Sequence, residues 1–199
     1  VQHTARRALA GHMSVARETP CFIYKNSLDL TGHIDGTGNP APEDQQDRGI
    51  IADGEAGEGG SYCIAQRWVH DMDYWASLSL DEEENTFGRT KADSTKLETQ
   101  VPRSHLSHVE LREGTTADES TAKRGEMVRR STPYAFHDGT VGLYFMGFCK
   151  TQAHGGHVRP QRSRDGLHHR LLDARVGFVL LRSVGRGARS STRVTECAV

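Results

Sequence analysis

The feature that most constrains the fold is the uncharged apolar stretch from Val141 to Cys149, which reads VGLYFMGFC. A continuous apolar run of strand length is typical of a strand buried on both faces of a sheet. Such a strand needs hydrogen-bonding partners on both of its edges. The stretch therefore predicts a central strand, and the rest of the chain must supply its neighbours.

Four other segments are candidate strands because they are short and rich in aromatic or β-branched residues. The first, from Cys21 to Tyr24, is very short. A strand starting near Leu106 is suggested by imperfect alternation of apolar residues. A second strand, which returns antiparallel to it, is expected to end at Pro133, because proline cannot donate a ladder hydrogen bond. The remaining candidates are residues 61–69 (Ser61 to Val69) and the return strand itself, 126–132.

Two short helices are predicted between the strands. Met72, Trp75 and Leu78 recur with the spacing of one helical face. Ser79 and Glu82 have the spacing of a capping box, which marks the start of a second helix that should end before a glycine at position 88. Strands and helices in this order predict an α+β sheet with helices on one face.

The overall composition argues against several classes of partner. The chain has 199 residues, an apolar content of 35% and a net charge of −1, which predicts neither nucleic acid nor a membrane surface as a partner. No apolar run approaches the length of a membrane span. The four cysteines lack any C-x-x-C spacing. They predict a reducing compartment, the cytoplasm, with Cys63 and Cys149 as small buried apolar residues.

The stretch from Gly32 to Pro40, here called the signature loop, carries three glycines, a proline and a single acid, Asp35. Glycine permits backbone angles closed to other residues and close approach of a ligand. Taken alone, the loop is consistent with a surface turn whose acid caps its own backbone. A carboxylate presented to a pocket is the alternative, and the loop alone favours the turn because Asp-Gly is among the commonest turn dipeptides.

Asp35 gains meaning beside His105, which follows a serine, and Arg129, which lies on the predicted return strand. Histidine can ligate haem iron. A carboxylate can move the proton of a peroxide, and a nearby cation can stabilise charge on the departing oxygen. One acid, one histidine and one arginine are the groups that a haem peroxidase requires.

Six ordered blocks carry a resemblance to a known family. They are G-x-x-D-G-T-x-N-P (32–40), G-S-Y-x-x-x-Q-R-x-x-H-D-x-x-x-W (60–75), G-R-T-K (88–91), P-x-S-H (102–105), V-R-x-S-x-P-Y (128–134) and G-L-x-F-x-x-F-C (142–149). Each block alone is a weak signal, but six in order are not a chance match. The chain resembles the dye-decolourising peroxidases, in their bacterial cytosolic-type branch.

The resemblance implies a ferredoxin-like, or dimeric α+β-barrel, fold that binds haem b in its C-terminal half. It implies that His105 is the proximal iron ligand, Asp35 the distal acid–base residue and Arg129 the distal cation. Further contacts with the cofactor are expected from Arg89, Ser131, Gly36 and Thr37.

A second histidine, His108, competes with His105 for the iron. In a strand, residues three apart face opposite sides of the sheet. The family pattern selects the histidine that directly follows the serine, which is His105, and it usually has arginine at the position of His108. His70 also falls in a family block, but at a strand–helix junction rather than as a ligand.

The implied activity is haem-dependent reduction of hydrogen peroxide coupled to oxidation of an organic electron donor such as a dye or a phenol. A homo-oligomer is implied by the family alone. Two alternatives stay open: a haem-binding or haem-handling protein without significant turnover, and an inactive peroxidase fragment.

The chain departs from the family pattern at several places. His33 replaces an aromatic or apolar residue, Gly38 replaces an acid, and Ala135 replaces a glycine. The resemblance divides the chain into a remnant of an N-terminal ferredoxin-like domain (1–27), a haem-binding domain (28–150) and a degraded remainder (151–199). Residues 182–195 lack a usable period, and we hypothesise that part of this remainder is read out of frame.

Overall fold

The structure is a computed structural model that describes residues 2–12, 14–15, 18–102, 104–109, 127–151 and 172–181. Within these ranges the chain forms short helices around one antiparallel sheet. The helices are α1 (Gln2–Leu9), α2 (Gln45–Gly49), α3 (Met72–Ala76), α4 (Leu80–Phe87) and α5 (His105–Val109). The strands are β1 (Ser61–His70), β2 (Val128–Arg129), β3 (Thr132–Ala135), β4 (Val141–Cys149) and β5 (Leu172–Leu181).

The apolar stretch predicted as a central strand is β4, and that prediction is confirmed. The strand order is β2-β4-β1-β5, with β3 also paired to β4, so β4 has partners on both edges. A Cβ on Gly142 would lie 1.9 Å from the Trp68 carbonyl oxygen of β1. Glycine at this position therefore allows the two strands to approach each other.

The predicted strand at 61–69 is β1, which pairs along its length with β4 and with β5. Its register sets Trp68 opposite Leu143 and Ser61 opposite Leu181. Both Cys63 and Cys149 are buried and free, as expected of small apolar residues. The α+β class predicted from the order of elements is confirmed.

Both predicted helices after β1 are also present. Asp71 caps α3 by accepting from the Tyr74 amide, and α3 ends at Ala76. Ser79 and Glu82 form the predicted capping box of α4, since each side chain accepts from the other's backbone amide. Gly88 closes α4 in the left-handed region at φ 82°, as expected of a C-terminal glycine.

The predicted strand near residue 106 is wrong, because residues 105–109 form helix α5. The hydroxyl of Ser104, a fully buried residue, accepts from the Ser107 amide at 3.1 Å and so caps the new helix. The strand geometry that was expected to separate His105 from His108 does not apply. The choice between them therefore depends on the family pattern alone.

The other strand predictions are only partly correct. The return strand is split, and Pro133 lies inside β3 rather than ending the segment. The stretch 21–24 forms only an isolated bridge between Cys21 and Tyr134. The stretch 41–60 contains α2 and the buried Ile51.

Parts of the chain lie outside the described residues. These include residues 110–126 and most of the stretch 151–199, where only residue 151 and β5 are described. All ten residues of β5 pair with β1. The predicted reading-frame change stays a prediction.

The core of the described part lies on both sides of the β1–β4 pair. Tyr134 is fully buried and donates from its hydroxyl to the Trp68 carbonyl at 3.0 Å. Ile64, Trp75, Leu106 and Val128 are also buried. Among the described residues, no helix is long and apolar enough to cross a membrane.

Candidate functional site

The signature loop is built on a tight turn. Leu28 and Ile34 form an antiparallel bridge, and the Asp29 amide donates to the His33 carbonyl at 2.9 Å. Gly32 and Gly36 have φ values of 86° and 80°, the backbone region that favours glycine. The glycines predicted to shape the loop are thus used for its turns.

Asp35 both caps the loop and interacts with a charge across it. Its Oδ1 accepts from the Gly36 amide at 2.7 Å, as a simple turn residue would. Burial raises the pKa of Asp35 above its usual range, and the Asp29 charge adds to that rise. The Gly36 hydrogen bond and the Arg129 guanidinium act in the opposite direction on that pKa.

Arg129, on the two-residue strand β2, supplies the cation beside this loop. Its guanidinium donates to the carbonyl of Gly38, and a Cβ at Gly38 would collide with that guanidinium. Burial lowers the pKa of Arg129, the Asp35 charge raises it, and Arg89 lowers it. Its Nε is buried and has no hydrogen-bond partner among the described residues. An unpaired buried donor is costly, which makes it a candidate contact for a ligand.

Asn39 ties the loop to β2. Its Oδ1 accepts from the Arg129 amide at 2.7 Å, and its Nδ2 donates to the Arg129 carbonyl at 3.1 Å. The sequence analysis gave Asn39 no role beyond its place in the signature loop. The two residues are 90 positions apart, and the loop motif offers no signal for this pairing.

A second tie joins the loop to the turn after α4. The hydroxyls of Thr37 and Ser94 lie 3.0 Å apart, and Arg89 donates to the Ser94 carbonyl at 2.8 Å. Ser94 is buried and has a positive φ of 60°. Thr37 and Arg89, both predicted site residues, are therefore held by one serine that the sequence analysis did not single out.

His105 begins helix α5, which packs against the end of α4. A Cβ at Gly88 would lie 3.0 Å from the Leu106 Cβ and 3.1 Å from the Ser104 Oγ. Gln100 donates to the Gly88 carbonyl at 2.9 Å and accepts from the Ser104 hydroxyl at 3.1 Å. This contact fixes the start of α5, and with it His105, next to the turn that carries Arg89.

The structure thus brings Asp35, Arg129 and Arg89 into one electrostatic neighbourhood. His105 is half-buried at the start of its helix, and Ser131 is half-buried between β2 and β3. Helix α5 sets the position of His105, and the link between β2 and β3 sets that of Ser131.

A buried acid–base cluster lies behind the signature loop, and sequence reasoning missed it. His70 at the end of β1 lies 3.3 Å from Asp29, with Nε2 facing Oδ1, and both residues are buried. His33 packs on Phe87 at a ring-centroid distance of 4.2 Å, with its Nε2 3.9 Å from a Glu83 carboxylate oxygen. Burial is the main cause that lowers the pKa of His33 to about 4.

These groups do not form a metal site of their own. Among the described residues, no group of three or more histidine, cysteine, aspartate or glutamate side chains is placed to hold a metal ion. A single imidazole such as that of His105 is sufficient for haem iron, since a porphyrin supplies the other ligands.

Comparison with known proteins points to one family. The family described as "Dyp-type peroxidase, C-terminal" matches residues 26–173. A dye-decolorizing peroxidase of Mycolicibacterium paratuberculosis is 33% identical over 147 residues, which is 73% of this chain and 40% of that protein. The protein of the same name from Mycobacterium tuberculosis is 33% identical over 73% of this chain and 43% of its own length. The chain therefore spans about two fifths of the curated relatives it matches.

Solved structures agree with this assignment. A dye-decolorizing protein from V. cholerae superposes with a TM-score of 0.76 and 30% identity, covering 92% of this chain and 62% of that one. A variant of DypB from Rhodococcus jostii RHA1, solved in complex with heme, has a TM-score of 0.77 and 27% identity, with 92% and 60% coverage. The ferredoxin-like α+β fold implied by the sequence blocks is thereby confirmed. The chain belongs to the Dyp-type peroxidase family and matches its C-terminal region.

Proposed function

We propose that this chain is the haem-binding part of a peroxidase that reduces hydrogen peroxide and oxidises an organic donor. One observation carries the proposal: the Arg129 guanidinium donates to the Gly38 carbonyl of the loop that carries Asp35, and its buried Nε has no hydrogen-bond partner among the described residues. An acid–base group beside a fixed cation suits movement of a proton and stabilisation of an oxyanion.

The residues present fit a haem group. The His105 imidazole is a common axial donor for haem iron. The guanidinium of Arg89 suits a propionate carboxylate because the two groups can pair in a bidentate manner. Gly36, Thr37 and Ser131 would complete the contacts on the side of Asp35. When bound, haem would supply the electrons that reduce the peroxide bond.

Asp35 would act on the peroxide proton. Its carboxylate accepts the proton from one peroxide oxygen and returns it to the other, which leaves as water. Arg129 stabilises negative charge on the departing oxygen through its guanidinium N–H groups. Since the pKa of Asp35 is raised mainly by burial, the carboxylate is a stronger base than an exposed aspartate. The peroxide reaction should weaken as pH falls through that raised pKa, because protonated Asp35 cannot accept a proton.

A haemin titration tests the proposal. The full chain should develop a Soret band, His105→Ala should abolish it, and His137→Ala, at an exposed turn histidine, should leave it intact. Asp35→Asn should keep the band and lower peroxide-dependent dye oxidation by about 10²- to 10⁴-fold, the usual range for a lost acid–base group. A band without dye oxidation in the unmodified chain would indicate a haem-handling protein, and no band would indicate an inactive fragment.

The remaining family expectations belong to the same proposal. We infer a cytoplasmic homo-oligomer with no nucleic-acid or membrane partner, from the family pattern and the near-neutral net charge of −1. Light scattering of the haem-loaded chain measures the oligomeric state.

We further propose the domain division 1–27, 28–150 and 151–199, with an altered reading frame in the last part. Repeated sequencing of the gene tests it: an intact frame through codons 150–199 in independent reads would refute the frame change.

A further inference from the structure

The backbone of Arg129 lies at an edge of the sheet. Among the described strands, in the order β2-β4-β1-β5, strand β2 pairs only with β4, and Arg129 lies opposite Gly147. The next residue, Arg130, donates its amide to the Met146 carbonyl of β4 at 2.8 Å. In an antiparallel pair, alternate residues point their N–H and C=O groups to opposite sides. The N–H and C=O of Arg129 therefore point away from β4.

On the side of β2 away from β4, the Asn39 side chain bonds to the backbone where a neighbouring strand would pair. Its Oδ1 accepts from the Arg129 amide at 2.7 Å and its Nδ2 donates to the Arg129 carbonyl at 3.1 Å. A planar primary amide presents an acceptor and a donor side by side, as a peptide unit does. Aspartate offers only acceptors, and an aliphatic side chain offers neither. The site therefore requires the amide of asparagine rather than a residue of similar size.

The other end of this contact is rigid. The backbone amide of Asn39 donates to the Gly36 carbonyl at 3.1 Å, which closes a turn within the signature loop. Pro40 follows and is buried, and a residue before proline is restricted to extended conformations. The Asn39 side chain is thus attached to the same turn that follows Asp35.

We propose that Asn39 is a positioning residue that fixes Arg129 in reach of Asp35 by replacing a strand neighbour at the edge of the sheet. The guanidinium of Arg129 also donates to the Gly38 carbonyl, so the loop holds both the backbone and the side chain of this arginine. The catalytic consequence depends on the proposed peroxidase function. The two hydrogen bonds between the Asn39 side chain and the Arg129 backbone, here called the clamp, do not depend on that function and can be measured without haem.

The first measurement is hydrogen exchange of the Arg129 amide in the full chain, followed by NMR. In the unmodified protein this edge amide should be protected, and Asn39→Ala should reduce its protection by at least about tenfold, the effect of one lost hydrogen bond. Asn39→Asp should also weaken the protection, since it removes the donor to the Arg129 carbonyl. An Arg129 amide that exchanges in the unmodified chain as fast as an exposed amide would overturn the proposal without any variant.

The second measurement separates positioning from a general loss of structure. Arg129→Leu should shift the titration of the Asp35 carboxyl, which among the described residues also faces the charge of Asp29. In the Asn39→Ala background that shift should fall by about half or more, because the two groups are no longer held together. An unchanged shift would refute a positioning role.

Gln45→Ala is the matched control. Gln45 is also a side-chain amide with two hydrogen bonds nearby, to the Pro40 carbonyl at 3.2 Å and from Arg130 at 2.7 Å. Its loss should leave both the Arg129 exchange and the Asp35–Arg129 coupling unchanged. If Gln45→Ala reproduces the effects of Asn39→Ala, the clamp is not specific and the proposal fails.

With haemin present, Asn39→Ala should lower kcat/KM for peroxide by about tenfold and leave the KM for the dye unchanged. If the chain does not bind haem, the proposed function fails while the exchange and titration results still decide the role of Asn39.

Discussion

Replacing Gly88 by alanine tests how the candidate iron ligand is positioned. Gly88 has φ 82° at the end of α4, and an alanine in this left-handed region costs about 1–2 kcal/mol. The added Cβ would also lie 3.0 Å from the Leu106 Cβ and 2.3 Å from the Gln100 Oε1. Overpacking of this kind costs about 1–3 kcal/mol. The two effects together predict a loss of about 2–5 kcal/mol in the free energy of unfolding.

Gly139→Ala provides the matched control. Gly139 has φ 85°, and a Cβ there would meet no atom within 4 Å, so only the backbone strain applies. We expect a loss of about 1–2 kcal/mol for this variant. The difference between the two variants, about 1–3 kcal/mol, then measures the packing of α5 against the end of α4.

Urea unfolding followed by tryptophan fluorescence measures both losses, and haemin titration measures the consequence for the site. Gly88→Ala should weaken haemin binding because α5, which begins at His105, must shift to make room. Gly139→Ala should bind haemin like the unmodified chain. Equal losses of stability in the two variants would refute the contact between α4 and α5. Equal haemin affinities would refute its role in holding His105.

Three further predictions concern stability. Burial, together with a neighbouring ammonium, lowers the pKa of His33 from 6.5 to about 4, so the unfolded state binds the extra proton between these values. The unmodified chain should lose about 3 kcal/mol more than His33→Phe between pH 7 and pH 4, measured by urea unfolding at each pH, and parallel pH profiles would contradict this. Gly142→Ala should cost about 4 kcal/mol or more, because its Cβ meets the backbone of Trp68. Gly147→Ala should cost less, because its Cβ meets only side chains, the flexible Met127 at 2.6 Å and Ile64 at 3.0 Å among them. Equal urea midpoints would refute this difference. Tyr134→Phe should cost about 1 kcal/mol through loss of the hydrogen bond to the Trp68 carbonyl, and an unchanged melting temperature would show that this bond contributes nothing.

Local sequence signals predicted the elements whose structure is decided locally. The apolar run of β4 and the capping box of α4 specify their elements almost independently of the rest of the chain. Helix α5 was missed because the approximate alternation of apolar residues was given more weight than Ser104, whose hydroxyl can accept from the amide of Ser107 and so begin a helix. Ser104 is in fact the cap of that helix, and a capping residue outweighs a weak two-residue period.

The site was predictable only where residue identity carried the information. Asp35 and Arg129 fall within blocks shared with the family, so their proximity was expected. The contacts around them were not expected, because Asn39 bonds to the backbone of a residue 90 positions away, and behind the loop Asp29 bonds to His70 across 41 positions. Side-chain bonds to distant partners depend on the assembled sheet and leave no periodic pattern in the sequence.

The turn interpretation of Asp35 is compatible with the acid–base role that we propose for it. Asp35 does accept from the Gly36 amide, as an ordinary turn aspartate does, and this bond favours its ionised form. Burial and Asp29 favour the protonated form, while Arg129 again favours the ionised one. A group that must take a proton and return it works best when neither form is held too firmly. The hydrogen bond that made Asp35 resemble a simple turn residue is therefore one of the forces that would suit it to acid–base work.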